Sequence, residues 1–150
     1  MTADQIAALA RGHGYTVAVA ESLTGGSLAA ELAAADDSSE WFAGGVVAYQ
    51  TRTKQRVLGV APDCPVISAE CVSTMAASLT DLMGADAVIA ISGAGGPAGQ
   101  AGQPPGTVVI ATLVRGRESV EEHCFPGTPG QVLAAARAHA LRQLAAQMRG

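Results

Sequence analysis

Two short segments combine side chains that could act together in covalent catalysis. The first, residues 20–26, reads AESLTGG and places Ser22 directly after an apolar run. In the second, Tyr49 and Lys54 stand close together after another apolar run. A serine hydroxyl needs a base to become a nucleophile, and a lysine whose pKa is lowered by burial can be that base. The residue types therefore fit hydrolysis through a serine–lysine pair.

Each of these residues also has a structural interpretation. Ser22 or Thr24 could cap the helix predicted after residue 26, and Thr24 is the better cap because it directly precedes two glycines. Lys54 could be a solvated surface charge. The glycine-rich residues 93–106 could present N–H groups to an anion or form a flexible loop. The residues alone leave these alternatives open, whereas His13, His123 and His139 lie away from the predicted strand ends.

The hydrophobic pattern predicts the elements that would position these side chains. Short apolar runs predict strands, helical spacing of apolar residues predicts helices, and Thr128 with Gln131 predicts a capping box that opens the last helix. The predicted strands span residues 16–20, 46–49, 86–92, 107–114 and 119–125, and the main helices span residues 26–35, 51–58, 69–83 and the C-terminal segment.

This order predicts a single domain over residues 1–150 with an α/β fold. The expected architecture is a three-layer α/β/α sandwich with a mixed, mainly parallel sheet and an antiparallel hairpin at one side. Ligands of open α/β sheets bind beyond the carboxyl ends of the parallel strands. Ser22, Thr24, Tyr49, Lys54 and the glycine-rich loop should therefore surround one cleft.

Composition excludes several classes of function. The 150 residues carry a net charge of −4, and their nine Lys and Arg are scattered, so we expect no nucleic-acid partner. No apolar run approaches the length of a membrane span, and the N-terminus lacks the pattern of a secretory signal. The three cysteines show no C-x-x-C spacing. We expect a cytoplasmic protein with reduced thiols, no membrane association and no metal site.

The order of several motifs resembles one known family. The segments AESLTGG, GGVVAYQTRTKQRVLGV, VISAE, ADAVIAISGAGGPAG, QPPGTVVIAT and FPG follow one another as in the C-terminal domain of the CinA competence/damage-inducible family. The resemblance covers about residues 3–149. Larger members carry a further N-terminal domain, which this sequence does not show.

The resemblance implies a Ser/Lys amidohydrolase that converts nicotinamide mononucleotide to nicotinate mononucleotide and ammonia. Ser22 would be the nucleophile, Lys54 its base, and Tyr49 would orient Lys54 or the substrate. It further implies a homodimer and no cofactor or metal. The residues that would contact substrate are Glu21, Thr24, Gly25, Gly26, Gly93, Gly95, Gly96 and Thr107.

The sequence departs from the family pattern at four places. Gln50-Thr51 stands where Ser-Asn is common, Gly95 replaces the alanine of the family's Gly-x-Ala-Gly-Pro, and Gln103 replaces a lysine. The family's Gly-Asp-Arg after phenylalanine is Gly127-Thr128-Pro129 here. If that Asp and Arg help to hold the substrate or its phosphate, this chain lacks a charged contact. Two alternatives follow: a nucleotide-binding module without turnover, or an amidase for another small amide.

Overall fold

The computed structural model describes residues 2–150, in which six helices surround five strands. The elements, in chain order, are α1 (Thr2–His13), β1 (Val17–Glu21), α2 (Ser27–Ala33), α3 (Ser38–Trp41), β2 (Phe42–Val47), α4 (Thr51–Leu58), α5 (Ala69–Met83), β3 (Ala87–Gly93), β4 (Thr107–Val114), β5 (Arg117–Cys124) and α6 (Pro129–Arg149).

The strands form one sheet in the order β2-β1-β3-β4-β5. β1 pairs in parallel with both β2 and β3, whereas β3–β4 and β4–β5 are antiparallel. The predicted mixed α/β sheet with a hairpin at one side is therefore confirmed. The β4–β5 turn consists of Arg115 and Gly116, both with positive φ (50° and 82°), as a tight two-residue hairpin requires.

Two apolar layers enclose the sheet and make the sandwich three-layered. One layer packs α1, α2 and α6 against sheet residues such as Val19, Ile89 and Ile110. The other packs α5 and the end of α4 against the opposite face, with Met75 and Leu79 at its centre. β1 and β3 are buried on both faces, as strands in the middle of a covered parallel sheet are. They therefore form a rigid base for the loops at their carboxyl ends.

The segment around β2 differs from the sequence prediction in two features. The second strand was expected at residues 46–49, but it runs from Phe42 to Val47, and the short helix α3 before it was not predicted. Gly44 and Gly45 read locally as a turn. In the fold they lie in the strand because they pair with Ala18 and Val19 of β1. Only glycine fits at position 45, since an added Cβ would lie 2.8 Å from both Cγ2 and the carbonyl oxygen of Val19.

The helix ends follow ordinary capping rules. The predicted capping box of α6 is confirmed, because Thr128 and Gln131 each accept the other's backbone N–H. Ser68 caps α5 by accepting from Cys71 N. Within residues 2–150, no helix combines the length and apolar character that crossing a membrane requires.

Candidate functional site

The carboxyl ends of the parallel strands β1, β2 and β3 lie side by side at the same end of the sheet. A pocket of about 250 Å³ opens there. The parallel pairing places these three ends side by side, as the sequence predicted. The residues that line the pocket are Ser22, Leu23, Tyr49, Gly93, Gly95, Gly96, Gln100 and Pro129.

Ser22 is the first residue after β1 and lies at the wall of this pocket with 6% of its surface exposed. Its carbonyl oxygen accepts the N–H of Gly25 at 3.0 Å, which closes a tight turn. Gly25 has a φ of +61°, a conformation that glycine adopts without strain. Within the described chain the Ser22 hydroxyl makes no hydrogen bond to another residue, so it is available to a ligand.

Glu21 does not contact the pocket, contrary to the prediction that it binds substrate. Its fully buried carboxylate accepts the N–H groups of Gly26, Leu28 and Ala29 at 3.2, 3.1 and 2.8 Å. It therefore caps α2, the role that the sequence analysis gave to Thr24, because only a longer side chain on the strand can reach these N–H groups. Since these donors are occupied, the start of α2 cannot supply an oxyanion hole.

Four other predicted contacts also lie outside the pocket wall. Thr24 is buried and its Oγ1 has no hydrogen-bond partner. Gly25 and Gly26 form the turn into α2, where both have positive φ. Thr107 is buried at the start of β4, and its hydroxyl donates to Pro104 O at 2.8 Å, so it secures the glycine-rich loop.

Lys54 lies in the second turn of α4 and is 97% buried, at 3% exposure. Its Nζ donates to the carbonyl oxygen of Tyr49 at 3.2 Å. Burial lowers the pKa of Lys54, and a smaller interaction with the Cys71 thiol opposes this change. A buried lysine with a lowered pKa is the kind of group that can accept a proton near neutral pH. The structure thus excludes the interpretation of Lys54 as a solvated surface charge.

Tyr49 has a different position from the one expected of a residue that orients Lys54 through its side chain. The backbone carbonyl, not the phenol, contacts the lysine. The side chain lines the pocket mouth and the residue is 66% exposed. The residue before Tyr49 is also fixed, because Ala48 N donates to the carbonyl oxygen of Glu21 at 2.8 Å. This bond holds Ala48 against the end of β1, directly before Ser22.

Gly93 and the loop after it form the opposite wall. A Cβ at Gly93 would lie 2.6 Å from Thr107 O, so only glycine allows β3 and β4 to approach this closely. The N–H groups of Leu23, Gly95 and Gly96 donate to no other protein group in residues 2–150. They are therefore among the backbone donors available at the pocket wall.

The sequence analysis missed three lining residues, Leu23, Gln100 and Pro129. Gln100 projects from a tight turn in which its N–H and carbonyl pair with Gln103, and Ala101 and Gly102 have positive φ. Pro129 is the first residue of α6, which starts beside the pocket. The pattern Thr128-Pro129 predicted the helix start, but only the packing of α6 on the sheet brings it to the site.

The described residues that line the pocket include no Lys, Arg, Asp or Glu. The histidines lie elsewhere: His13 stacks on Tyr15, and His123 and His139 pack with Phe125. Within residues 2–150, no three His, Cys, Asp or Glu side chains cluster as a metal site would need. The chemistry available at the pocket wall comes from a hydroxyl, an amide, a phenol and backbone N–H groups.

Comparison with known proteins places the whole fold, including this site, in one family. The family model described as the CinA C-terminal domain matches residues 1–148. The chain belongs to the CinA C-terminal domain family. The CinA-like protein of Synechocystis is 42% identical over 72% of the chain, and a competence-damage inducible protein of Bacillus subtilis is 40% identical over 77%.

The CinA relatives differ from this chain in length. The matched regions cover 27% and 29% of the Synechocystis and Bacillus proteins, so the chain spans less than a third of these curated relatives. The crystal structure of the competence or damage-inducible protein from Enterobacter asburiae is similar over nearly its full length. It is 34% identical, with a TM-score of 0.95 over 98% of this chain and 96% of that one. The resemblance seen in the sequence is therefore confirmed at the level of family and fold.

Proposed function

We propose that this CinA domain hydrolyses a carboxamide through Ser22 and Lys54, with nicotinamide mononucleotide as substrate. One observation carries the proposal. Ser22 lines the pocket and its hydroxyl has no protein partner in residues 2–150, and the buried Lys54 holds the carbonyl of Tyr49, another residue of the pocket wall. Burial disfavours the charged amine, which supports a role for Lys54 as a proton acceptor.

In the first half of the reaction, the neutral Nζ of Lys54 takes the proton of Ser22 Oγ as the oxygen attacks the carboxamide carbon. The two groups are not hydrogen-bonded in the structure, so Nζ turns from the Tyr49 carbonyl or acts through one water, as is common in unliganded sites. The free N–H groups of Leu23, Gly95 and Gly96 are the candidate donors to the oxyanion. Lys54 then protonates the leaving amide nitrogen, and ammonia departs.

In the second half, a water molecule attacks the resulting Ser22 ester. Lys54 accepts the proton of this water, and the tetrahedral intermediate collapses to release the carboxylate product. Ser22 Oγ leaves as the better leaving group and recovers its proton from Lys54. The cycle ends with both residues in their initial state. No cofactor is needed in the proposed mechanism, because Ser22 supplies the nucleophile and Lys54 transfers every proton.

The direct test is ammonia release from nicotinamide mononucleotide by the intact chain. We expect Ser22→Ala and Lys54→Ala each to lower kcat by at least about a thousandfold, as loss of a nucleophile or its base does. Arg56→Ala is the control and should keep full activity, because Arg56 is exposed on the same helix as Lys54 and does not line the pocket. A Ser22→Ala variant that is folded by circular dichroism and fully active would contradict the assignment of the nucleophile.

A second candidate substrate is a small neutral amide, and the uncharged lining of the pocket favours it. A phosphate would find no lysine or arginine there, and the family's Gly-Asp-Arg is Gly127-Thr128-Pro129 here. The volume of about 250 Å³ is below the 300–1,000 Å³ typical of drug-sized ligands. A comparison of kcat/KM for nicotinamide mononucleotide, its riboside and nicotinamide would decide between the two.

The remaining alternative is binding without turnover. It predicts that nicotinamide mononucleotide raises the melting temperature while no ammonia is formed at any pH. Turnover that is lost in Ser22→Ala would exclude it.

A further inference from the structure

The helix that carries Lys54, α4, has few contacts of its own that could hold it in place. It has eight residues, too few for a helix that is stable by itself. Only Lys54 and Leu58, one turn apart, are buried, and the other residues are exposed or half-buried. Lys54 is also the only lysine in the sequence. The contacts that hold α4 in place therefore also decide how deeply this amine is buried.

One side chain from another element contacts the end of α4. Ser78, on α5, donates its hydroxyl to the carbonyl oxygen of Leu58 at 2.5 Å. Within residues 2–150 this is the only side-chain hydrogen bond between α4 and another helix or strand. The last carbonyl groups of a helix have no partner inside the helix, so the bond also satisfies one of these groups. Ser78 thus joins the short helix α4 to the longer helix α5.

The backbone turn at the end of α4 links this bond to Lys54. The N–H groups of Gly59 and Val60 both donate to the carbonyl oxygen of Lys54, the second at 3.2 Å. A Cβ placed on Gly59 would lie 3.6 Å from Ser78 Oγ, so the turn packs directly against this hydroxyl. The turn is therefore closed on the backbone of Lys54 at one end and fixed by Ser78 at the other.

Helix α5 also covers the side chain of the lysine. Cys71 lies two turns before Ser78 on α5, and its fully buried thiol is close enough to the Lys54 amine to act on the pKa of Lys54. Residues seven positions apart lie on the same face of a helix, so one face of α5 borders α4 at both places. Lys54 is buried because α4 lies against this face, and displacement of the end of α4 would bring water to the amine.

We propose that Ser78 is a positioning residue, whose hydrogen bond to Leu58 holds α4 against α5 and keeps the Lys54 amine buried. Ser78 does not line the pocket, so its effect reaches the site through Lys54. Without the hydroxyl, the end of α4 separates from α5 more often and the amine is more hydrated. Because hydration favours the charged form of lysine, the pKa of Lys54 then rises toward its ordinary value of 10.5. The proposed function enters only where the amine acts as the base.

The single lysine makes a direct test possible, because it gives one side-chain NMR signal. With lysine labelled with ¹³C at Cε, the chemical shift as a function of pH follows the protonation of Lys54 without any substrate. Ser78→Ala should move this titration toward 10.5, far enough to lower the uncharged fraction at neutral pH at least about threefold. An unchanged titration in a folded Ser78→Ala protein overturns the proposal.

Turnover is the second measurement, and it rests on the proposed function. At neutral pH, kcat of Ser78→Ala should fall by the same factor as the uncharged fraction of Lys54, with KM unchanged. The loss should disappear in alkaline solution, where the amine is uncharged in both proteins, whereas a variant that is merely less stable would not recover there. If the titration moves and kcat does not follow, Ser78 positions Lys54 as proposed, but the lysine is not the base and the proposed function fails.

Ser73→Ala is the matched control, because it is the same substitution on the same helix and also removes one side-chain hydrogen bond. Ser73 Oγ donates to Glu118 Oε1 at 2.9 Å, which joins α5 to β5 instead of α4. The titration of Lys54 and kcat should therefore be those of the parent chain. If Ser73→Ala moves the titration as far as Ser78→Ala does, the effect is a general loosening of α5 and the proposal is wrong.

Discussion

At the scale of single residues, the unusual feature of the site is a buried amine that has one hydrogen bond and no carboxylate partner. Lys54 Nζ contacts the Tyr49 carbonyl, and none of the ion pairs in residues 2–150 includes it. Burial lowers its pKa, which means that the folded state disfavours the charged form. The same property that would make Lys54 a base therefore also makes it a cost to stability.

We expect Lys54→Met to raise the free energy of unfolding by about 1 kcal/mol at neutral pH while it abolishes amidase activity. With a folded-state pKa below the ordinary value of 10.5, the unfolded chain binds more protons than the folded one between these two values. The cost of the lysine is thus full below the folded-state pKa and disappears as the pH rises toward 10.5. Urea unfolding at several pH values should show the two proteins converging in alkaline solution.

Arg56→Met is the control for this comparison, because Arg56 is exposed on the same helix. It should change the free energy of unfolding by less than about 0.5 kcal/mol. A Lys54→Met protein that is less stable than wild type at every pH would contradict the account.

At the scale of elements, the turn between β1 and α2 depends on a carboxylate that serves structure instead of substrate. Glu21 occupies three N–H groups of the start of α2, and Ser22 follows it directly. The position of the proposed nucleophile is therefore linked to the capping of a helix of seven residues, Ser27–Ala33, that has little intrinsic stability.

We expect Glu21→Gln to lower the free energy of unfolding by about 2 kcal/mol and to reduce activity. The amide group can accept the N–H bonds of Gly26 and Leu28, but its NH₂ would face the N–H of Ala29 in a buried position. Equilibrium urea unfolding and the ammonia assay measure the two effects.

The same substitution at Glu31, on α2, serves as the control. Glu31 is partly exposed and pairs with Arg137 at 3.6 Å, so Glu31→Gln should cost less than about 0.5 kcal/mol. Equal losses of stability in the two variants would contradict a specific stabilising role of the Glu21 carboxylate as the cap of α2.

At the scale of the whole molecule, one sheet separates two apolar layers, and each layer contains a side chain whose exposure on unfolding can be measured. Trp41 is 2% exposed in the layer of α1, whereas Cys71 is fully buried in the layer of α5. Burial raises the pKa of Cys71 to about 11 and also raises that of Cys64. Cys124 is exposed on β5.

If the chain is a single domain, both layers should unfold in one transition. A thiol reagent at neutral pH should modify Cys124 rapidly, and Cys64 and Cys71 only in the denaturant range in which Trp41 fluorescence changes. Cys124→Ser should remove the fast phase and leave the slow one. Exposure of Cys71 at lower denaturant concentration than the change at Trp41 would mean that the layers unfold separately.

Much of the fold could be predicted because its signals are local. Apolar runs and helical spacing identified the three buried strands, α5 and α6, and the convergence of strand ends located Ser22, Tyr49 and the glycine loop at one pocket. The edge strand β2 was misplaced because its Gly44-Gly45 pair reads as a turn, whereas in the fold both glycines pair with β1, at Ala18 and Val19.

The sequence by itself determined the family, most of the elements and the end of the parallel strands where the site lies, since these depend on residue order and periodicity. Only the tertiary structure decided that Glu21 caps α2, that Tyr49 contacts Lys54 through its backbone, and that Pro129 and Gln100 complete an uncharged wall. The pocket wall joins residues distant in the chain, whereas the Glu21 and Lys54 bonds join residues five to eight positions apart whose side-chain directions are set by the surrounding packing. Burial and hydrogen-bond partners are properties of the packed molecule, and no local pattern encodes them.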